Sequence, residues 1–67
     1  MKLGFLLAQL MSTSCWYRIW KYHEESGGYA LAGDYTNKSL AELMEIQVEE
    51  VKIANVPEHL IYDIFVK

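Results

Sequence analysis

The sequence predicts a small α+β domain, a two-layer sandwich in which helices cover one face of an antiparallel four-stranded sheet. Two pairs of segments rich in Trp, Tyr, Val and Ile are each joined by turn residues, as in β-hairpins. Each pair follows a segment in which leucines recur with helical spacing. The expected order of elements is therefore α-β-β-α-β-β.

The length of the chain predicts one domain that spans residues 1–67. This is below the ~70–80 residues at which a single core comfortably stabilises a fold. Hydrophobic residues make up 52% of the chain, so it is not a disordered segment. A small domain cannot bury so much apolar surface internally, and we expect a partner or a second copy of the chain to cover part of it.

The first helix is predicted at Lys2–Ser12. Its apolar stripe consists of Leu3, Leu6, Leu7, Leu10 and Met11. The apolar run is shorter than the ~18 residues of a membrane span. It is also short for a secretion signal, and Lys2 alone does not make the basic face of a membrane-surface helix. We therefore expect a core helix and no contact with a membrane.

The first hairpin is predicted from strands Cys15–His23 and Tyr29–Tyr35. The loop is either Ser26–Gly27 or Glu25–Gly28, and both loops give the same register. The predicted opposed pairs are Glu24–Tyr29, Tyr22–Leu31, Trp20–Gly33 and Arg18–Tyr35.

The two faces of this hairpin differ in size and polarity, because opposed residues share a face. The larger, more aromatic face contains Trp16, Trp20, Tyr22, Tyr29 and Leu31. The other face contains Tyr17, Ile19, Lys21, His23, Ala30, Ala32 and Asp34. We expect the aromatic face to lie in the core beneath the helices.

A second helix is predicted at Ser39–Gln47, where Ser39 and Glu42 have the spacing of a capping box and Lys38 can pair with Glu42. Strands Glu49–Asn55 and Leu60–Val66 follow, with a turn around Pro57. A right-handed crossover would place strand three beside strand one. The expected spatial order is 2-1-3-4, antiparallel throughout.

An all-α alternative comes from SLAELMEIQVEEVKIAN, which resembles the helix-turn-helix of bacterial regulators. Its apolar positions are Leu40, Ala41, Leu43, Ile46 and Val51. The resemblance would imply a DNA-binding transcription regulator. The sequence departs from the motif at Glu45, where the turn usually has Gly, and Glu49 and Glu50 would face the phosphates of DNA.

Residues that could support catalysis or bind a cofactor are sparse, so we expect neither an enzyme nor a cofactor site. Cys15 could pair with His23 or His59, but no third orienting group accompanies them. His23, Glu24, Glu25 and His59 could ligate a metal, but solvated turn residues are the simpler interpretation.

The net charge of −3 and the absence of a basic cluster argue against nucleic-acid binding and favour a protein partner with a basic surface. Cys15 is the single cysteine, so the chain cannot form an internal disulfide, which favours the cytoplasm.

Two groups of residues are candidates for partner binding. The acidic group consists of Glu42, Glu45, Glu49 and Glu50, within nine residues and with no basic residue among them. The apolar group is expected on the sheet face away from the helices and consists of Tyr17, Ile19, Ile61 and Phe65.

The sequence thus predicts a small acidic, non-enzymatic protein-binding domain. It would act as an inhibitor or adaptor on a basic, nucleic-acid-handling protein, as phage-encoded inhibitors of similar size and charge do. This comparison is an analogy of size and charge. A homodimer is the other way in which the apolar group would be covered.

Overall fold

The computed structural model describes residues 1–10, 15–36, 40–56 and 59–67. Within them the chain forms one α-helix and a four-stranded sheet, which confirms the α+β class. The elements are α1 (Leu3–Leu10), β1 (Trp16–His23), β2 (Gly28–Asp34), a 3₁₀ turn (Ala41–Leu43), β3 (Val48–Val56) and β4 (His59–Val66). The predicted end of the first helix, Met11 and Ser12, and the predicted turn at Pro57 lie outside the described residues.

The sheet is mixed, with strand order β2-β1-β4-β3. Both hairpins are antiparallel, as predicted, but β1 and β4 pair in parallel. The prediction of a purely antiparallel sheet with strand three beside strand one was therefore wrong. The physical reason lies in composition, because β4 is the more apolar strand of its hairpin. A charged strand such as β3, with Glu49, Glu50 and Lys52, suits an edge.

The register of the first hairpin differs from the predicted one. The turn occupies residues 24–27, where Gly27 has a φ of 71° and its N–H donates to the carbonyl of His23 at 2.9 Å. This turn places Tyr22 opposite Tyr29 and Trp20 opposite Leu31, a shift of two residues that keeps each side chain on its face. A bulge then places Gly33 opposite Ile19 and Asp34 opposite Arg18.

The second helix is not formed in the described part of residues 39–47, which contains only the 3₁₀ turn Ala41–Leu43. The N–H groups of Leu3 and Gly4 each donate at 2.9 Å, to the carbonyls of Ile46 and Met44 respectively. These carbonyls thus satisfy free donors at the start of α1. The predicted capping residue Ser39 and its neighbour Lys38 lie outside the described residues.

Gly4 makes this close approach possible. A Cβ atom at this position would lie 3.2 Å from the carbonyl oxygen of Met44 and 3.3 Å from the Met44 Cβ. A glycine that weakens an isolated helix therefore lets α1 pack directly against the backbone of the segment that caps it.

The helix-turn-helix alternative is not supported. Residues 48–56, which include the would-be recognition helix, form β3, paired along its length with β4. No helix in the described part of the chain is long and apolar enough to cross a membrane.

The core lies between α1 and one face of the sheet. Its buried residues are Leu3, Leu7, Leu10, Ile19, Leu40, Ile64 and Val66. Ile19 and Ile64 are neighbours on β1 and β4 and are both 0% exposed. Tyr17 is half-buried and packs against the same core.

The assignment of the two sheet faces was thus inverted. No described residue packs over the aromatic face that was expected in the core, whereas Tyr17 and Ile19, expected to be exposed, lie under or beside α1. Burying the aromatic face beneath a helix would also have taken the charges of Arg18 and Asp63 out of water, which costs several kcal/mol per ion. The aliphatic face carries no such charge at its centre.

Burial beneath α1 predicts different costs for the loss of one methylene at two isoleucines, Ile19 and Ile53, that share a face of the sheet. Ile19→Val removes a fully buried methyl group and should lower the free energy of unfolding by about 0.5–1.5 kcal/mol. Ile53→Val, at a position 59% exposed on edge strand β3, should change it far less. Urea unfolding of both variants measures the difference, and equal costs would contradict the burial of Ile19 beneath α1.

Candidate functional site

The face of the sheet opposite α1, called the open face below, is the candidate site. Parallel pairing aligns side chains of β1 and β4 across it, so that Trp16 neighbours Ile61, Arg18 neighbours Asp63, and Trp20 neighbours Phe65. The remaining open-face residues on the described strands include Tyr22, Tyr29, Leu31, Glu50 and Lys52.

A charged cluster occupies the centre of the open face. The carboxylate of Asp63 accepts two hydrogen bonds from Arg18, from Nε at 2.7 Å and from Nη2 at 2.9 Å. It also accepts one from the indole Nε1 of Trp20 at 2.9 Å. The Arg18 guanidinium lies 5.8 Å from the centre of the Trp20 ring. These contacts hold three side chains of two strands in one arrangement.

The electrostatics of the cluster favour the charged form of Asp63. Burial alone would raise the pKa of this carboxyl group. The hydrogen bonds from Arg18 and Trp20, with the positive charges of Arg18 and Lys52, outweigh burial and lower the pKa below its usual value. The hydrogen bond to Asp63 in turn raises the pKa of Arg18.

Aromatic rings surround this cluster and contact one another. Trp16 stacks on Tyr35 with ring centres 4.7 Å apart and planes 11° apart. Trp20 and Phe65 are stacked at 6.5 Å, and Tyr29 makes edge contacts with Phe65 at 5.0 Å and with Tyr22 at 5.3 Å. Four large side chains of this surface remain substantially exposed: Trp16 (38%), Tyr29 (43%), Leu31 (52%) and Tyr35 (43%).

No family model matches the chain. The curated proteins and the solved structures contain no match to it either. The geometry of the open face is therefore the basis for any functional conclusion.

The structure separates the predicted apolar group. Ile61 and Phe65 lie on the open face, while Tyr17 and Ile19 lie on the core face. The prediction that these four residues share an uncovered surface was wrong, because it depended on the inverted face assignment.

The predicted acidic group is divided between a turn and a strand. Glu42 is exposed on the 3₁₀ turn, and Glu50 is exposed on β3. Glu45 pairs with Lys2 at 2.7 Å, and Glu49 pairs with Lys67 at 3.8 Å. Two of the four charges thus have basic neighbours from distant parts of the chain, which weakens the expected local field.

Sequence reasoning missed the central cluster of Arg18, Trp20 and Asp63. The sequence signal was one charged residue near the middle of β1 and one near the middle of β4. Arg18 lies between Trp16 and Trp20 on one face of β1, and Asp63 lies between Ile61 and Phe65 on one face of β4. A charge in the middle of an aromatic strand face indicates that this face meets solvent.

The described residues contain no group of three or more His, Cys, Asp or Glu side chains placed to hold a metal ion. Cys15 is half-buried with a free thiol, and His23 and Glu24 are exposed at the end of the first hairpin.

Asp63→Asn tests the central cluster. The substitution keeps the shape of the side chain but removes the negative charge that Arg18 and Trp20 contact. We expect the free energy of unfolding to fall by about 1 kcal/mol at pH 7. The figure is modest because Arg18 is partly exposed. Glu45→Gln is the matched control. It breaks an ion pair whose two side chains are well exposed and should leave stability unchanged.

The stability difference between wild type and Asp63→Asn should also depend on pH. The folded pKa of Asp63 is lowered relative to the unfolded value of about 3.9, so its contribution is complete above about pH 5. It is lost as the pH falls through the folded pKa, and the two proteins should then converge. Urea unfolding between pH 7 and pH 2 follows this, and a difference that grows on acidification would contradict the assignment.

Proposed function

We propose that the chain is a non-enzymatic protein-binding domain and that it contacts its partner through the open face. The observation that carries this proposal is the set of exposed, mutually stacked aromatic side chains around the Arg18–Asp63 pair. A soluble chain has no structural need to expose Trp16, Leu31 and Tyr35 on one surface.

The composition of the open face supports this proposal. Trp, Tyr, Phe and Arg are enriched at the centres of protein–protein interfaces, where buried aromatic and arginine anchors carry most of the binding energy. The stacking of Trp16 on Tyr35 and the hydrogen bond from Trp20 to Asp63 hold these side chains in place before a partner binds. Little conformational entropy would then be lost on association.

The charge of the chain supports a partner with a basic surface. The net charge of −3 belongs to the chain as a whole, because on the open face the exposed Glu50 is balanced by the exposed Lys52. Complementary charge would speed encounter with a basic protein and would make the association weaken as salt is added. An inhibitor or adaptor in the cytoplasm, acting on a nucleic-acid-handling protein, is the role that matches this chemistry.

A photo-crosslinking amino acid placed at two exposed positions tests the proposal. Leu31 (52% exposed) lies on the open face, and Phe5 (61% exposed) lies on α1. In cells of the source organism, the Leu31 position should crosslink a basic protein, whereas the Phe5 position should not. The double variant Trp16→Ala, Tyr35→Ala should reduce capture while circular dichroism confirms that the sheet is retained.

Two results would contradict this proposal. Equal crosslinking at Leu31 and Phe5 would show that the open face is not the contact surface. A crosslink only to a second copy of the chain, with a dimer in light scattering that Trp16→Ala dissociates, would show that the face is a homodimer interface instead.

A further inference from the structure

We infer that a depression at one end of the open face binds the guanidinium group of an arginine side chain of the partner, an inference that rests on the function proposed above. The depression has a volume of about 420 Å³ and is lined by Tyr22, Glu24, Tyr29, Glu49 and Lys67. It lies where the parallel strands β1 and β4 end and where the turn of the first hairpin begins.

Two tyrosine rings form adjoining walls of this depression. The centres of Tyr22 and Tyr29 are 5.3 Å apart, and their planes meet at 73°. The face of an aromatic ring carries partial negative charge and attracts a cation within about 6 Å of its centre. Both rings line the same small volume, so a cation that enters it lies close to aromatic surface.

The open face already uses this type of contact with its own cations. The guanidinium of Arg18 lies over Trp20, and the Lys52 ammonium lies 5.5 Å from the centre of Phe65. Among the described residues no cation lies over Tyr22 or Tyr29 in the same way. An incoming cation therefore has access to these two rings, which line the depression together with two carboxylates.

Carboxylates at the rim complete the match to a cation. The lining contains two carboxylates, those of Glu24 and Glu49, and one ammonium group, that of Lys67. The Lys67 Nζ lies 3.8 Å from the Glu49 Oε1, and the lysine side chain is 70% exposed. This long, solvated contact is weak, so a partner cation can compete for Glu49.

Arginine satisfies both parts of the depression better than lysine does. Its planar guanidinium stacks on an aromatic ring and can donate two parallel hydrogen bonds to one carboxylate. A lysine ammonium is a compact and strongly hydrated charge that does not stack. The pair Arg18 and Trp20 on the same face shows this combination of ring contact and carboxylate pairing within the chain itself.

Titration of the isotope-labelled protein with N-acetyl-arginine methylamide tests the site by nuclear magnetic resonance. We expect saturable, millimolar binding with shifts centred on Tyr22, Glu24, Tyr29 and Glu49. The citrulline analogue has nearly the same size but no charge, and it should not shift these resonances.

Isosteric variants distinguish binding of the arginine compound at this site from its nonspecific attraction to an acidic protein. Glu24→Gln and Glu49→Gln should each weaken arginine binding about two- to fivefold. Glu42→Gln removes an exposed charge from the 3₁₀ turn and is the matched control, which should leave the affinity unchanged. Tyr29→Leu should weaken binding by a similar factor with both carboxylates in place.

Equal shifts with citrulline, or an equal loss of affinity in Glu42→Gln, would overturn the inference. This outcome is distinguishable from failure of the proposed function. Crosslinking at Leu31 reports whether the open face meets a protein at all, and the arginine titration needs no partner. A face that crosslinks a partner without arginine binding would leave the proposed function standing and remove the arginine site.

Discussion

The burial of Ile19 beside Ile64 beneath α1 is the contact on which the rest of the structure depends. Both side chains are fully enclosed, and they belong to the two central strands. Because side chains alternate across a strand, burying Ile19 directs Arg18 and Trp20 to the opposite face. Parallel pairing then sets Asp63 beside Arg18. One aliphatic contact therefore determines both where the core lies and which groups meet the solvent.

The aromatic side chains of the open face are exposed, yet contacts with their neighbours hold them in place. Exposed aromatic surface is a liability for a small soluble domain, since it promotes association without specificity. Here the hydrogen bonds from Arg18 and Trp20 to Asp63 anchor the centre of the face, and ring contacts connect Trp20 with Phe65 and Tyr29. The charged pair also makes the surface amphipathic, which favours a partner that supplies both apolar and charged groups.

The single helix accounts for the imbalance between the two faces. An eight-residue helix is about 12 Å long and covers only the aliphatic centre of the sheet. The segment at residues 40–46 caps this helix through backbone carbonyls and contributes Leu40 to the core. With no second helix in the described residues, the larger aromatic surface has nothing above it. The candidate binding face is thus a consequence of how little helix the described chain forms.

The sequence by itself determined the α+β class, the first helix and both hairpins, because local periodicity and turn chemistry encode them. Only the tertiary structure decided the place of β4 beside β1, the loss of the second helix and the choice of buried face. These depend on contacts between distant residues, such as Arg18 with Asp63 and Gly4 with Met44. Aromatic bulk favoured one face for the core, but the cost of burying the Arg18 charge decided for the other. Of the candidate binding residues, Ile61, Phe65 and the acidic Glu50 were placed on the open face by the register of β4, which no local pattern specifies.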